Sequence, residues 1–150
     1  MRWQFALMVV AVFSLVGCAP KATYDLSITN RTERAVTVGL VKDGPPPEAE
    51  WAAPEELALE TRLEALPPWG HVIPPGKTID SSPISGTFPR GTAPYLRVYA
   101  GEHSIAELLS ISSSSPDRAE LLLMPGHSDV VVRIDETGHV RAERVAPQRR

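Results

Sequence analysis

Apolar and polar residues alternate along much of this chain, with the period of two that is typical of β-strands with one buried face. Residues 24–29 place three apolar side chains on one face and three polar side chains on the other. After a polar break at residues 30–34, the alternation resumes over residues 36–40. Two such runs joined by a short polar loop predict a β-hairpin.

Further short strand-like runs follow. They are residues 72–73, 78–80, 95–100, 105–111, 119–123, 130–135 and 139–145. The last two runs flank a tight turn in which Gly138 supplies the positive φ that a hairpin needs. The run at 105–111 has an alternative interpretation as a short helix, because Ala106, Glu107 and Leu108 are good helix formers.

Two segments, 73–78 and 123–128, share an apolar residue, a Pro-Gly turn and a hydroxyl residue that leads into a strand. Pro fixes φ and Gly accepts the left-handed position, so the pair reverses the chain at low cost. The spacing of these turns resembles that of immunoglobulin-like and transthyretin-like sandwiches. Many short strands with such turns predict a mainly β fold, a single antiparallel β-sandwich over residues 24–146, with a partly open barrel as the alternative.

A proline-rich insertion at residues 44–76 interrupts the strand pattern and holds eight of the fifteen prolines. It contains the one short helix predicted for the chain. Pro54 suits the first helical turn, and the two glutamates that follow it complement the helix dipole. Leu59, Leu63 and Leu66 lie at i, i+4 and i+7, so we expect this stripe to pack on the sheet.

The first seventeen residues have the pattern of an export signal. Arg2 gives a positive start, residues 5–16 are apolar except for Ser14, and Gly17 is small. A membrane span needs about 20 apolar residues, and this run is shorter. The pattern predicts a signal peptide over residues 1–17 that is removed.

The end of that segment, Leu15-Val16-Gly17-Cys18, resembles the lipobox of bacterial lipoproteins. The resemblance implies cleavage between Gly17 and Cys18, diacylglycerol on the Cys18 thiol and acylation of the new amine. Ala19 stands where an aspartate tends to mean retention in the inner membrane. The resemblance therefore implies a cell-envelope protein anchored in the outer membrane and facing the periplasm.

Cys18 is the single cysteine of the chain, so no internal disulfide forms and no thiol remains for catalysis. Residues 18–23 are expected to form a lipidated tether, in which five residues span about 17 Å. Such a tether would hold the sandwich close to the bilayer.

Size and charge narrow the function further. Cleavage leaves residues 18–150, a length that fits one domain. Removal of Arg2 from the 15 basic residues leaves 14 against 18 acidic residues, a formal charge of −4. This balance gives no reason to expect a nucleic-acid partner. The tail at residues 147–150 is basic, and its weak contact with anionic lipid is the alternative to simple solvation.

Motifs that indicate an enzyme are not found in the sequence. It contains no glycine-rich phosphate loop and no Gly-x-Ser-x-Gly elbow. The serine run at 112–115 precedes a proline and predicts a loop. We therefore predict no catalytic residues, no cofactor and no enzymatic activity.

The four histidines, His71, His103, His127 and His139, lack the close pairing of a metal site. Met124, His127 and Asp129 lie close in sequence and could form a copper or zinc site of the envelope. The alternative, which we favour, places Met124 in the core and His127 in a turn.

The insertion is the better candidate for a binding surface. Residues 45–76 carry six glutamates against one arginine. Trp51 and Leu57, with Glu60 and Glu64, are the predicted partner-binding residues, because aromatic residues beside acids suit docking. Burial in the core is the alternative for Trp51 and the preferred expectation for Trp69.

These observations predict a non-enzymatic binding or scaffolding module that is tethered to a lipid bilayer through Cys18. Its partner would be another envelope protein that contacts the insertion. The alternative is a metal-binding lipoprotein that uses His127.

Overall fold

The computed structural model describes residues 19–60 and 69–146 of the 150-residue chain. Its strands are β1 (Lys21–Asn30), β2 (Val36–Asp43), β3 (His71–Ile73), β4 (Thr78–Asp80), β5 (Ile84–Thr87), β6 (Ala93–Ala100), β7 (Arg118–Leu122), β8 (Gly126–Ile134) and β9 (Val140–Val145). The described residues also form two short helices, α1 (Pro54–Glu60) and α2 (Ile105–Leu108), and a 3₁₀ turn at Ala49–Trp51. The predicted mainly β sandwich is confirmed.

Two sheets face each other. The first sheet has the order β4-β1-β8-β9, and β5 pairs with the same edge of β1 as β4 does. Within it β1 and β8 run parallel, with Tyr24 opposite Gly126. The second sheet, β3-β2-β6-β7, is antiparallel throughout.

The hairpin predicted for residues 24–29 and 36–40 is wrong, because β1 lies in the first sheet and β2 in the second. The link between them is fixed by the buried side chain of Asn30. Its amide nitrogen donates to the carbonyls of Arg34 and Ile73, and its Oδ1 accepts the Thr32 N–H. The alternation of apolar and polar residues determines which side chains are buried. It is the same whether two consecutive strands form a hairpin or lie in different sheets.

The main core lies between the sheets and is built from the inward-facing positions of their strands. Its members include Tyr24, Leu26, Ile28, Val36, Val38, Leu96, Val98, Val130, Val132 and Val140. The alternation over β1 therefore predicted the buried face correctly.

A second apolar cluster covers the outer face of the second sheet. Its buried members are Val41, Trp69, Tyr99, Ile105 and Leu108. Because both faces of that sheet are covered, β2 is buried at nearly every position. The burial of Trp69 predicted from the sequence is confirmed.

Helix α1 packs on this outer face, but not through the predicted stripe. Pro54 is buried, and Leu57 and Ala58 pack against the second cluster, at i, i+3 and i+4. Leu59 is 88% exposed, so the expectation that it packs on the sheet was wrong. Leu63 and Leu66 lie outside the described residues.

The segment predicted as a strand at 105–111 contains α2 instead, so the helical alternative is the correct one. Ser104 caps the helix by accepting the Glu107 N–H, and the Glu107 carboxylate accepts the Ser104 N–H. These reciprocal bonds satisfy free N–H groups of the first turn. The chain thus has a second short helix, beyond the one that was predicted.

The predicted turn between the last two strands is confirmed, with Gly138 at a φ of 84°. The Asp135 carboxylate accepts hydrogen bonds from Thr137 Oγ1 at 2.6 Å and Arg141 Nε at 2.7 Å. These bonds hold the pKa of Asp135 well below its ordinary value. The turn is therefore fixed by side-chain chemistry as well as by glycine.

We name one end of the sandwich the Lys21 end. It contains the start of β1 together with neighbouring turns and strand ends. It comprises residues 19–22, 43–47, 87–93, 122–126 and 144–146. The predicted tether over residues 18–23 is too long, because β1 already begins at Lys21 and Thr23 bonds to Ser85 across the sheet. Only Ala19 and Pro20 separate Cys18 from the first strand.

Candidate functional site

The two long edges of the sandwich differ. At one edge, the terminal strands β7 and β9 of the two sheets contact each other. The Val140 N–H donates to the Pro116 carbonyl at 2.8 Å, and Arg144 donates to the Leu122 carbonyl at 3.0 Å. We name this the closed edge, because its strands bring the two sheets together.

At the opposite edge, which we name the open edge, the sheets leave a cleft of about 720 Å³ between them. Its walls are mainly apolar and come from β1, β2, β5 and β6. They include Leu26, Ile28, Val38, Leu40, Ile84 and Leu96. The edge strands here, β3 and β4, are only three residues long each. Sequence reasoning missed this cleft because its walls come from segments far apart in the chain.

The first part of the insertion borders the cleft by crossing from β2 to β5. The buried Lys42 Nζ lies 2.7 Å from Glu48 Oε2 and also donates to the Thr87 carbonyl at 3.3 Å. The Glu48 carboxylate in turn accepts the Thr87 N–H. The hydrogen bond from Lys42 is the main reason that the pKa of Glu48 lies below its ordinary value. This glutamate of the insertion is therefore a structural link between the sheets.

Trp51 is a core residue, which corrects its prediction as a partner-binding residue. It is 1% exposed, and its ring makes edge contacts with Tyr24 and Phe88. Its Nε1–H donates to the Ser85 carbonyl at 3.2 Å. A buried indole with a satisfied N–H has no surface to offer a partner. The alternative interpretation, burial, is correct.

The other predicted docking residues do not form one exposed surface. Leu57 is half-buried, packs against the second cluster and borders the cleft, so it does not share an exposed surface with Trp51. Glu60 is the last described residue of α1. Glu64 lies outside the described residues, as do Gly17 and Cys18.

Polar residues stand at the border of the cleft, where Glu50, His71, Asp80 and Ser81 line it. A serine, a histidine and a carboxylate are thus near one cavity, but they are not hydrogen-bonded as a catalytic set needs. Ser81 Oγ accepts the Leu26 N–H at 2.9 Å. Among the described residues, no hydrogen bond joins His71 to Ser81 or to Asp80.

His127 lies in β8 and not in a turn, and Met124 is 53% exposed and not in the core, so both favoured expectations were wrong. His127 Nδ1 lies 3.0 Å from Asp25 Oδ2, and Nε2 lies 3.4 Å from Asp129 Oδ1. The hydrogen bond to Asp25, followed by that to Asp129, raises the pKa of His127.

This arrangement does not favour the metal alternative. The two carboxylates face opposite nitrogens of one imidazole, so they cannot join that ring around one ion. Over residues 19–60 and 69–146, no group of three or more His, Cys, Asp or Glu residues could hold a metal ion. The cluster instead links β1 to β8 across the exposed face of the first sheet.

A charged cluster on the outer face of the second sheet fixes α1. Arg97 donates to Glu55 of α1 at 2.9 Å and to Glu120 of β7 at 2.8 Å. Arg118 donates to Glu120 and lies over the Tyr99 ring. Burial raises the pKa of the Tyr99 phenol, although Arg97 and Arg118 oppose this. The cluster therefore attaches the insertion to the sheet.

Comparisons with known proteins add no relationship. No family model, no curated protein and no solved structure matches this chain. Within the described residues, none of the helices has the length and apolar character needed to cross a bilayer.

Proposed function

We propose that this chain is a lipid-anchored cell-envelope protein whose sandwich is a non-enzymatic binding module, with the cleft of the open edge as its binding site. The lipobox-like segment that ends at Cys18 supports the anchor and an outer-membrane, periplasm-facing position. The cleft is the observation that carries the binding function.

The size and lining of the cleft suit an apolar ligand. Sites for small molecules commonly enclose about 300–1,000 Å³, with apolar walls and a few polar groups at fixed positions. The cleft, at about 720 Å³, falls within this range. Apolar walls favour an alkyl chain or a similar apolar group, because its transfer from water is favourable.

The acidic residues at the border of the cleft determine which charge the polar end of that ligand would carry. Glu50 and Asp80 are exposed, and neither forms an ion pair with another described residue. Two carboxylates attract a cation and repel an anion. We therefore propose an amphiphile with an apolar chain and a positively charged end as the ligand class.

Photocrosslinking with a photoreactive alkylamine tests this proposal. The acylated full-length chain would be held in a lipid nanodisc, and labelled peptides would be mapped by mass spectrometry. We expect labelling in residues 26–28 and 79–84, and about fivefold less with the alkanoate of equal chain length. Replacing Glu50 by Gln and Asp80 by Asn should remove this difference between the two probes.

Two bulky substitutions supply the matched control. Ile84→Trp puts a larger side chain into the cleft and should abolish the labelling of its walls, whereas Val131→Trp puts the same side chain on the outer face of the first sheet. Labelling that Ile84→Trp leaves unchanged would contradict the proposed site. The anchor is tested separately, because Cys18→Ala should give a chain without acyl groups by intact mass.

A further inference from the structure

We infer that the Lys21 end of the sandwich is a membrane-contact face that lies against a lipid surface containing anionic headgroups. This inference rests on the proposed acyl anchor at Cys18 and deepens it. The anchor alone would fix the distance of the domain from the bilayer. The face defines which end of the domain meets the lipid.

The chain enters and leaves the sandwich at this end. Cys18 precedes β1 by two residues, Ala19 and Pro20, which extend over at most about 7 Å. Strand β9 runs towards this end, because it is antiparallel to β8, and it stops at Val145 opposite Asp129.

Exposed apolar side chains are concentrated at the same end. Leu122, Met124 and Val145 are 49%, 53% and 41% exposed. They are three of the six large exposed hydrophobic residues in the described part of the chain. The segments of this end also hold exposed prolines at 20, 45–47 and 125, which have no backbone N–H that would need a partner in lipid headgroups.

The charge of this end is opposite to that of the whole chain. Its segments hold three bases, Lys21, Arg90 and Arg144, against one acid, Asp43. The segments at the opposite end, residues 30–36, 73–78, 100–118 and 134–140, hold six acids against four bases. The chain as a whole carries a formal charge of −3. An anionic surface therefore attracts the Lys21 end and repels the rest.

The bases are available for this contact. Among the described residues, Lys21 and Arg90 form no ion pair, and the guanidinium of Arg144 donates only to the Leu122 carbonyl. Attraction to an anionic membrane falls off over a Debye length of about 10 Å. A two-residue link holds this end within that distance, so the acyl anchor and the charges act on the same face.

The thiol chemistry of the chain makes the orientation measurable. Because Cys18 is the single cysteine and would be acylated, an introduced cysteine is the only reactive thiol. Met124→Cys places it at the Lys21 end, and Ser113→Cys places it in an exposed loop at the opposite end. Each acylated variant would be added to vesicles of phosphatidylcholine with or without phosphatidylglycerol. The readout is its reaction rate with a membrane-impermeant maleimide.

We expect phosphatidylglycerol to slow the labelling of the Met124→Cys chain by about fivefold or more and to leave the Ser113→Cys chain unchanged. Adding Lys21→Gln and Arg90→Gln should remove the slowing. Adding Arg31→Gln and Lys77→Gln, an equal loss of charge at the opposite end, should not. Equal labelling at both ends in every vesicle would overturn the inference, as would protection that appears only in whole cells, which would indicate a protein partner.

Failure of the anchor gives a different result. A chain without acyl groups by intact mass, whose Cys18 itself reacts with maleimide and which does not float with vesicles, would contradict the proposed function. A chain that is acylated and floats, but is labelled equally at both ends, would overturn only the membrane-contact face.

Discussion

The two sheets of the sandwich are joined in different ways at its two edges. At the closed edge, β7 and β9 bring the sheets into contact through backbone and arginine hydrogen bonds. At the open edge, β3 and β4 are too short to do this, and a piece of the insertion crosses between the sheets instead. A cleft remains beside that crossing. The difference shows that the insertion is part of the fold, because at the open edge it makes the contacts between the sheets that the short strands do not make.

A few buried residues hold the crossing segment in place. Trp51 fills the core next to Tyr24 and Phe88, and the Lys42–Glu48 pair links β2 to β5. If these contacts hold the open edge together, their removal should cost more than comparable changes at the closed edge.

The largest effect should come from Trp51→Ala. Truncation of a fully buried aromatic side chain costs about 3–5 kcal/mol of unfolding free energy, from lost burial and the remaining cavity. Leu59→Ala is the matched control within the insertion, because Leu59 is 88% exposed and should change stability by less than about 0.5 kcal/mol. Urea denaturation followed by circular dichroism measures both. Equal effects would mean that Trp51 is not part of the core.

A smaller loss should follow Glu48→Gln, which leaves the buried ammonium of Lys42 without its carboxylate. Breaking a fully buried pair costs about 3–5 kcal/mol, and the partial exposure of Glu48 lowers the expected loss to about 2–3 kcal/mol. Lys42→Met in the same chain should recover part of it. Within the first sheet, Glu143→Gln breaks the exposed pair between β9 and Arg133 of β8 and should cost less than about 1 kcal/mol.

Acid should weaken the open edge first. The pKa of Glu48 is lowered in the folded protein, so its contribution is complete above the ordinary value of 4.5 and is lost as the pH falls through the folded value. Amide exchange at Thr87, whose N–H donates to Glu48, should lose protection in this range, after correction for the intrinsic rate. Protection at Val140 on the closed edge should persist. Simultaneous loss at both sites would contradict the difference between the edges.

The smallest effect concerns His127, which belongs to neither edge. Its pKa is raised, so its contribution is complete below the ordinary value of 6.5 and is lost as the pH rises through the folded value. The difference in melting temperature between the native chain and His127→Gln should therefore be present in mild acid and vanish at alkaline pH. A difference that does not vary with pH would mean that the imidazole acts only by packing.

The sequence was sufficient for features that depend on local pattern. It predicted the buried face of β1 from alternation, the final hairpin from Gly138 and the start of α1 from Pro54. Strand β5 was not predicted, because Ile84 is its only large apolar residue. The orientation of α1 was also wrong. Leu57 and Leu59 lie on nearly opposite sides of the helix, about 200° apart, and the leucine spacing favoured the side that the structure leaves exposed.

Features that depend on long-range pairing could not be derived from the sequence. Alternation does not indicate which sheet a strand joins, so β1 and β2 were taken as a hairpin. The carboxylate of Glu48 gives no local sign that it will meet a buried lysine and a distant backbone N–H. The cleft exists only after the sheets are assembled.

Hydrogen–deuterium exchange of the acylated chain, with and without the alkylamine, tests the central claim that the open edge is the binding face. We predict slower exchange in peptides that cover β4 and β5, and no change in peptides that cover β7 and β9. Ile84→Trp should remove the slowing. Protection at the closed edge, or equal protection at both edges, would contradict the account.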